Sequence, residues 1–249
     1  MKQEHLSKSL ATGLATLAAA ILALSPLTAH RAVAQNPNQA GAPASQLQER
    51  LAEVKESAAK NKQALAQYTW QEQQTTAVKG DVKSQKLFQV RLGPDGKPQK
   101  TETMGTPQSS GGHGVKGHIK EKKKEEFQEY GQQIGALAQQ YAPDPQKLQQ
   151  AYQQGNLMLA SGGAPGAVKM VIKNYVKPND QVTLIFNQQT KAIQSVEIQS
   201  YLSDPKDAVK IAQQYSQLPD GTSHVSTSQI NGVSKDLLIT TQNSNYQKL

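Results

Sequence analysis

The sequence contains no cysteine, and this absence removes three classes of site from consideration. A disulfide framework, a thiolate metal site and an N-terminal cysteine for lipid attachment are all excluded. Large hydrophobic residues are also scarce, since Leu, Ile, Val and Phe make up just under about one-fifth of the residues after position 34. Disorder would also require a strong net charge, whereas the formal charge of the chain is only +8 at pH 7. We therefore expect a folded domain that is stabilised by burial alone.

Hydrophobic runs long enough to span a membrane are missing as well, because no stretch approaches about 20 apolar residues. A shorter apolar run, Leu14–Leu24, follows Lys2 and Lys8 and precedes the small residues of Ala32–Ala34. This order is typical of an export signal with a cleavage site, so residues 1–34 are predicted to be a signal peptide. An uncleaved anchor is the alternative. We expect a periplasmic or secreted protein with no transmembrane segment after cleavage.

The rest of the sequence predicts a short linker followed by helical and strand-forming regions. Residues 35–44 are rich in Pro, Gly and Asn and predict a flexible linker. From Ser45 to about Gln67, apolar residues recur at helical spacing. A second helical region, about residues 119–154, has a longer helix with an apolar stripe on one face. The residues of this stripe are Phe127, Tyr130, Ile134, Leu137 and Tyr141.

Elsewhere the apolar residues alternate with a period of two, which predicts strands. Three strands are expected between Tyr68 and Thr103, with turns at 79–81 and 93–96. The later predicted strands are Asn156–Ser161, Val168–Tyr175, Gln181–Phe186, Ala192–Leu202, a segment around Val209–Tyr215, Val225–Ile230 and Lys235–Thr241. Groups of strands on both sides of a helical insertion indicate an α+β fold with a mostly antiparallel sheet. We expect one domain covering residues 45–249.

The segment Gly111–Gly117 contains glycines at the spacing of a dinucleotide-binding loop. Such a loop needs an apolar strand before it and a parallel crossover after it, and the sequence predicts neither. Lysines follow between Lys116 and Lys124, but glutamates are interleaved with them and no aromatic residue is available for base stacking. We therefore expect no dinucleotide and no nucleic acid as partner, and interpret the segment as a loop that leads into a solvated helix.

Candidates for metal binding and catalysis are few. His113 and His118 lack a third convergent ligand, so no metal site is predicted. The carboxylates Glu72, Glu102 and Asp180 form no recognisable acid–base arrangement, and no serine lies in a nucleophile elbow. The sequence thus predicts no catalytic residue, no cofactor and no enzymatic activity.

Three short segments, taken with the order of the predicted elements, resemble a known superfamily. They are Tyr68–Glu72 in the first strand, Lys177–Asp180 before the strand that ends at Phe186, and Gln217–Gly221. In these segments the chain resembles the LolA/LolB-like periplasmic lipoprotein-carrier superfamily, which includes the RseB/MucB-like sensor domains. The segment Ile119–Tyr130 is also similar to exported proteins of environmental bacteria. The resemblance implies an open, curved half-barrel of antiparallel strands, with helices packed on its concave face and an apolar cavity for acyl chains.

The function implied by this resemblance is that of an exported, non-enzymatic binding protein. The acyl chain of a lipid or lipoprotein would lie between helices and sheet, with about 0.8 kcal/mol per buried CH₂ group as the source of affinity. The side chains expected to form the wall are Trp70, Phe88, Val90, Val182, Leu184 and Phe186. A filled core would use the same residues, so the alternative is a structural or protein-interaction module of the cell envelope, with an envelope protein as partner. An envelope hydrolase is a third, minor class.

Overall fold

One sheet of ten strands organises the part of the chain that the computed structural model describes, residues 59–105, 115–142, 144–187 and 192–249. The strands are β1 (Tyr68–Val78), β2 (Asp81–Leu92), β3 (Pro98–Gly105), β4 (Leu157–Ser161), β5 (Ala167–Lys173), β6 (Gln181–Asn187), β7 (Ile193–Tyr201), β8 (Ala208–Gln217), β9 (Ser223–Gly232) and β10 (Leu237–Lys248). Their order across the sheet is β3-β2-β1-β10-β9-β8-β7-β6-β5-β4. Every neighbouring pair is antiparallel. Strand β10 therefore joins the β1–β3 meander to the β4–β9 meander.

The sheet is curved. It is also open, because its outermost strands, β3 and β4, are not paired with each other. The predicted α+β class with a curved, antiparallel sheet is confirmed. The predicted strand bounds are close to those observed, except that β10 continues to Lys248 instead of ending at Thr241. The predicted signal peptide (1–34), the linker (35–44), the helix between Ser45 and residue 58 and most of the predicted hairpin loop at 187–191 lie outside the described residues.

Backbone conformation fixes the turns of the first meander. Lys79 and Gly80 both have a positive φ, 54° and 81°, as the two central residues of a type I′ turn require. This turn matches the twist of the flanking strands, so β1 and β2 pair directly from Val78 and Asp81. Gly96, with a φ of 68°, lies in the corresponding turn between β2 and β3.

Three α-helical segments and one 3₁₀ helix, Val233–Lys235, accompany the sheet within the described residues. Residues 59–65 (α1) precede β1, and α2 (Val115–Gln140) and α3 (Pro145–Gln153) lie between β3 and β4. Asp144 caps α3, because its side chain accepts a 2.9 Å hydrogen bond from the backbone nitrogen of Gln146. The proline at the start of α3 occupies the first turn, where a backbone N–H is not needed.

The start of α2 corrects the interpretation of the glycine-rich segment. The helix begins at Val115 and not near Ile119, so Gly117 and His118 belong to a helix and not to a loop. One glycine costs a helix interior only about 1 kcal/mol, so it does not by itself end a long helix. His113 and the glycines before it lie outside the described residues.

The inner face of the sheet is the concave face on which α2 and α3 pack. The stripe predicted for α2 is confirmed for Tyr130, Ile134, Leu137 and Tyr141, which are buried against this face, whereas Phe127 is half-buried. Close approach of the helix depends on Gly232 at the end of β9. A Cβ atom there would lie 2.6 Å from Cε1 of Tyr130.

Candidate binding site

The larger of two apolar clusters on the inner face, called the lower cluster here, is packed with helix side chains. It includes Tyr130, Ile134, Leu137, Ala138, Tyr141, Leu148 and Ala151 of the helical region and Met170, Ile172, Val182, Leu184, Phe186, Ile193, Val196, Ile198, Val209, Ile211, Ile230, Leu237 and Ile239 of the strands. Ile134 and Leu184 are both 0% exposed. Helix α2 thus occupies this half of the concave face.

A smaller upper cluster lies at the opposite end of β1, β2 and β10. Trp70, Phe88 and Val90 are its buried members, and Leu65, Leu92 and Tyr246 pack against them. The two clusters lie on the same face of the sheet. In β1, Val78 packs on the lower cluster, and it is eight residues from Trp70 of the upper cluster. Residues an even number of positions apart in a strand point to the same face.

A β-bulge in β10 completes the upper cluster. The pairing of β1 with β10 shifts between Thr69 and Gln71, and Asn245 has a φ of 53°. The bulge turns Tyr246 onto the inner face, where its ring stacks on Trp70 with centroids 5.5 Å apart and planes 17° apart. The imidazole of His224 also contacts Tyr246, with ring centroids 4.2 Å apart. Burial lowers the pKa of His224.

The structure separates the six predicted wall residues into two groups of three. Trp70, Phe88 and Val90 lie together in the upper cluster. The other three, Val182, Leu184 and Phe186, lie in the lower cluster on β6, with β10, β9, β8 and β7 between them and the first group. The six side chains therefore do not line one continuous wall.

A belt of polar side chains crosses the inner face between the two clusters. Its members are Gln213 on β8, Ser228 on β9, Asn243 on β10, Glu72 on β1 and Lys100 on β3. Gln213 is directly opposite Ser228, and Asn243 is directly opposite Glu72. All five side chains are buried or half-buried.

Glu72 and Lys100 form a buried ion pair within the polar belt. Their side chains are only 8% and 7% exposed. Lys100 reaches Glu72 across β2, and its ammonium nitrogen lies 5.7 Å from the ring centroid of Phe88. Burial lowers the pKa of Lys100. Burial and, secondarily, the charge of Glu72 raise the pKa of Tyr246.

Three buried polar atoms at the belt and the upper cluster have no hydrogen-bond partner among the described residues. They are Nε1 of Trp70, Oγ of Ser228 and Oδ1 of Asn243. The amide nitrogen of Asn243 does have a partner, because it donates a 2.9 Å bond to the carbonyl oxygen of Val225. A buried polar group without a partner costs about 1–3 kcal/mol. The three atoms lie on three consecutive strands of the inner face, which we take as the candidate site for a hydrogen-bonding ligand.

The carboxylates considered from the sequence do not form a shared site. Glu102 is exposed and pairs with Lys86 at 2.7 Å. Asp180 is 1% exposed and accepts hydrogen bonds from backbone groups and from Tyr141 at the far end of the sheet. Glu72 has its own partner in the polar belt. No group of three or more His, Cys, Asp or Glu residues in the described ranges could hold a metal ion.

Sequence reasoning missed most of the belt, although one signal was available. Gln213 follows Val209 and Ile211 at the same period-two positions, and Glu72 follows Trp70 in the same way. A polar residue at an inward position of an amphipathic strand indicates a buried polar contact. The alternation alone did not indicate which residues on other strands would meet these two.

Comparisons with known proteins give structural matches only. No protein-family model matches the chain, and no curated protein matches it. A solved DUF1329 family protein from Desulfovibrio piger is similar with a TM-score of 0.33 and 10% identity, over 76% of this chain and 89% of that chain. A LolA superfamily protein from Nitrosomonas europaea is similar with a TM-score of 0.31 and 8% identity, over 74% of this chain and 87% of that chain. Within the described residues, no helix is both long enough and apolar enough to cross a membrane.

Proposed function

We propose that this chain is an exported, non-enzymatic binding protein that holds the acyl chain of a lipid or lipoprotein on the inner face of its sheet. One observation carries the proposal: three buried polar atoms that have no hydrogen-bond partner among the described residues lie on the inner face, one of them on Trp70 of the aromatic cluster. An amphiphile has the chemistry to satisfy both features, with an alkyl chain on the rings and a polar headgroup at the belt.

The acyl chain is assigned to the upper cluster because the lower cluster is already packed by α2. A guest in the lower cluster would have to displace side chains such as Ile134, which is fully buried. Trp70, Phe88 and Val90 of the upper cluster are also buried, at 5%, 3% and 0% exposure, but the half-buried Leu65 of α1 packs against them, and a guest would take the place of this side chain. The wall residues Val182, Leu184 and Phe186 then act as core, and Trp70, Phe88 and Val90 are the proposed ligand contacts.

Export is supported by the order of basic, apolar and small residues in positions 1–34. The proposal places the mature protein in the periplasm or outside the cell, beginning at Gln35. Intact-mass measurement of the protein recovered from the periplasmic or culture fraction tests this. A product that retains residues 1–34 would contradict it.

Ligand binding can be followed without a label, because Trp70 is the only tryptophan in the sequence. Lipid carried through purification should be visible by native mass spectrometry. The apolar dye N-phenyl-1-naphthylamine should bind the folded protein and change the emission of Trp70. We expect Phe88→Ala to weaken dye binding by about tenfold or more, the equivalent of about 1.4 kcal/mol.

Val182→Ala is the matched control for Phe88→Ala, since Val182 is equally buried in the lower cluster. It should lower stability while leaving the affinity for the dye within about twofold. Circular dichroism confirms that both variants are folded under the assay conditions. Absence of co-purified lipid and of dye binding, or equal loss in both variants, would overturn the proposal.

A protein-interaction module is a second candidate, favoured by the edge strand β4. Met158 and Leu159 on this strand are 47% and 48% exposed. Among the described residues, strand β4 pairs only with β5, so in this part of the chain its outer edge is open to strand addition. A photo-crosslinker at Leu159 should then capture an envelope protein in cells, whereas one at Met104, exposed on the other edge strand, should not. Equal capture at both positions would count against this candidate.

A further inference from the structure

We propose that the polar belt selects a neutral headgroup that both donates and accepts hydrogen bonds, such as the hydroxyls of a monoacylglycerol, over a carboxylate or phosphate. This inference rests on the proposed function, because the acyl chain on the upper cluster brings the headgroup to the belt. It adds the chemical class of the ligand that the site would prefer.

The three unpartnered atoms lie on three consecutive strands of one face. Trp70 is on β1, Asn243 on β10 and Ser228 on β9. Glu72, the inward neighbour of Trp70 in β1, is directly opposite Asn243. Ser228 is opposite Thr241, the inward neighbour of Asn243. Diagonal neighbours on adjacent strands are about 7–8 Å apart, so a headgroup of glycerol size can reach more than one of them.

The donor and acceptor character of these atoms is fixed by chemistry. The indole nitrogen of Trp70 can only donate a hydrogen bond. Asn243 presents its oxygen to the site, because its amide nitrogen already donates to the carbonyl of Val225. The hydroxyl of Ser228 can do either. A complementary headgroup therefore needs at least one acceptor, for Trp70, and one donor, for Asn243.

The charge balance of the belt disfavours an ionised headgroup. Glu72 and Lys100 are both buried and neutralise each other. An anionic headgroup would face the carboxylate of Glu72. Because Lys100 is already paired with Glu72, the anion would be a buried charge without a counterion, which is costly. His224 lies beside Tyr246, and burial lowers its pKa, which favours the neutral imidazole. Lys86, whose ammonium nitrogen lies 5.9 Å from the ring centroid of Phe88, is already paired with Glu102. A hydroxyl-bearing neutral headgroup meets the hydrogen-bonding demand without adding a charge.

The experiment compares four ligands with the same oleoyl chain at neutral pH and below their aggregation limits. These are 1-monooleoylglycerol, oleate, oleoyl lysophosphatidate and methyl oleate, which can accept hydrogen bonds but not donate them. Their affinities for the full mature chain are measured by Trp70 emission and calorimetry. We expect the dissociation constant of 1-monooleoylglycerol to be lower than that of each of the other three ligands by a factor of about ten or more.

Ser228→Ala separates headgroup recognition from a structural role. Since the hydroxyl has no partner among the described residues, its removal should leave the unfolding midpoint of the free protein unchanged or raised. The same change should reduce the preference for 1-monooleoylglycerol over methyl oleate to within about threefold. Asn243→Ala is expected to reduce the preference similarly, with some loss of stability because the bond to Val225 is removed.

The outcomes separate this inference from the function on which it rests. Binding of none of the four ligands would overturn the proposed function itself. Oleate or oleoyl lysophosphatidate binding as tightly as 1-monooleoylglycerol would overturn the neutral-headgroup inference and leave acyl-chain binding intact. An unchanged preference in Ser228→Ala would likewise overturn the assigned role of the belt.

Discussion

Tyr141, at the end of α2, donates a 2.6 Å hydrogen bond to the buried carboxylate of Asp180. The same carboxylate accepts bonds from the backbone nitrogens of Tyr175, Val176 and Lys177, at 2.6, 2.9 and 2.7 Å. Asp180 therefore holds the turn before β6 and attaches α2 to it. Its role is structural, and it belongs to the machinery that keeps α2 in the lower half of the concave face.

Replacing Asp180 with Asn should destabilise the fold by about 3 kcal/mol. The amide would present an N–H₂ group to backbone donors that need an acceptor, and bonds to a charged group are the stronger ones. Urea unfolding followed by circular dichroism measures the change. Asp204→Asn is the control, since Asp204 accepts a bond from the backbone of Lys206 in an exposed turn. The control should change stability by less than about 0.5 kcal/mol, and an equal loss in both variants would contradict the assigned role.

Gly232→Ala should destabilise the protein by about 1–3 kcal/mol. The new methyl group would overlap the Tyr130 ring, whose nearest atom would be 2.6 Å away, and α2 would have to shift. Thermal and urea unfolding both report this loss. Gly93→Ala is the matched control, because its nearest contact is the amide end of the flexible Gln99 side chain. If the two changes had equal effects, close packing at Gly232 would not be what holds α2.

The buried pair of Glu72 and Lys100 should show strong coupling in a double-mutant cycle. Glu72→Leu or Lys100→Met alone leaves one buried charge without its counterion and should cost about 3–5 kcal/mol. The double variant should be less destabilised than either single variant. The free energy of unfolding of all four proteins gives the coupling energy. Simple additivity of the two single changes would show that the pair does not interact in solution.

Stability should fall on acidification through the titration of His224. Burial lowers its pKa below the ordinary value of 6.5, so the unfolded state takes up a proton before the folded state does. The free energy of unfolding is therefore expected to decrease as the pH falls below 6.5 toward the lower folded pKa. Asp220 titrates at lower pH, because its hydrogen bond from Tyr68 lowers its pKa from 3.8 to about 2. Its contribution to the free energy of unfolding is therefore lost only as the pH falls from 3.8 toward 2. His224→Gln should flatten the slope below pH 6.5, and an unchanged slope would rule out His224 as its source.

The sequence was sufficient for the strands and for the helix stripe, because both follow from local periodicity. Inward apolar residues such as Val182 and Leu184 alternate regularly, and burial against α2 enforces that pattern. The extension of β10 from Thr241 to Lys248 was missed because its residues there are mostly polar. Pairing with β1, a contact between distant parts of the chain, holds that segment in the sheet.

The candidate site was harder to predict for the same reason. Trp70 was selected as an aromatic residue on an inward position, and it lies in the upper cluster, while its role in binding stays a prediction. Its partners Tyr246 and His224 come from β10 and β9, and a bulge that no local signal predicts turns Tyr246 inward. Strand order and register decide which residues meet, and neither can be read from alternation within one strand.

The position of β10 between β1 and β9 has a consequence for how the molecule folds. Contacts such as Gln71 with Ser244 join residues that are very far apart along the chain, and closing so long a loop is entropically slow. Each meander can form its hairpins early, but the two meanders can join only after β10 has paired with both β1 and β9. Until then, the edge strands of the two meanders are unpaired and can pair with the wrong strand or with another chain. A chaperone that covers these edge strands would be most useful at this stage of folding.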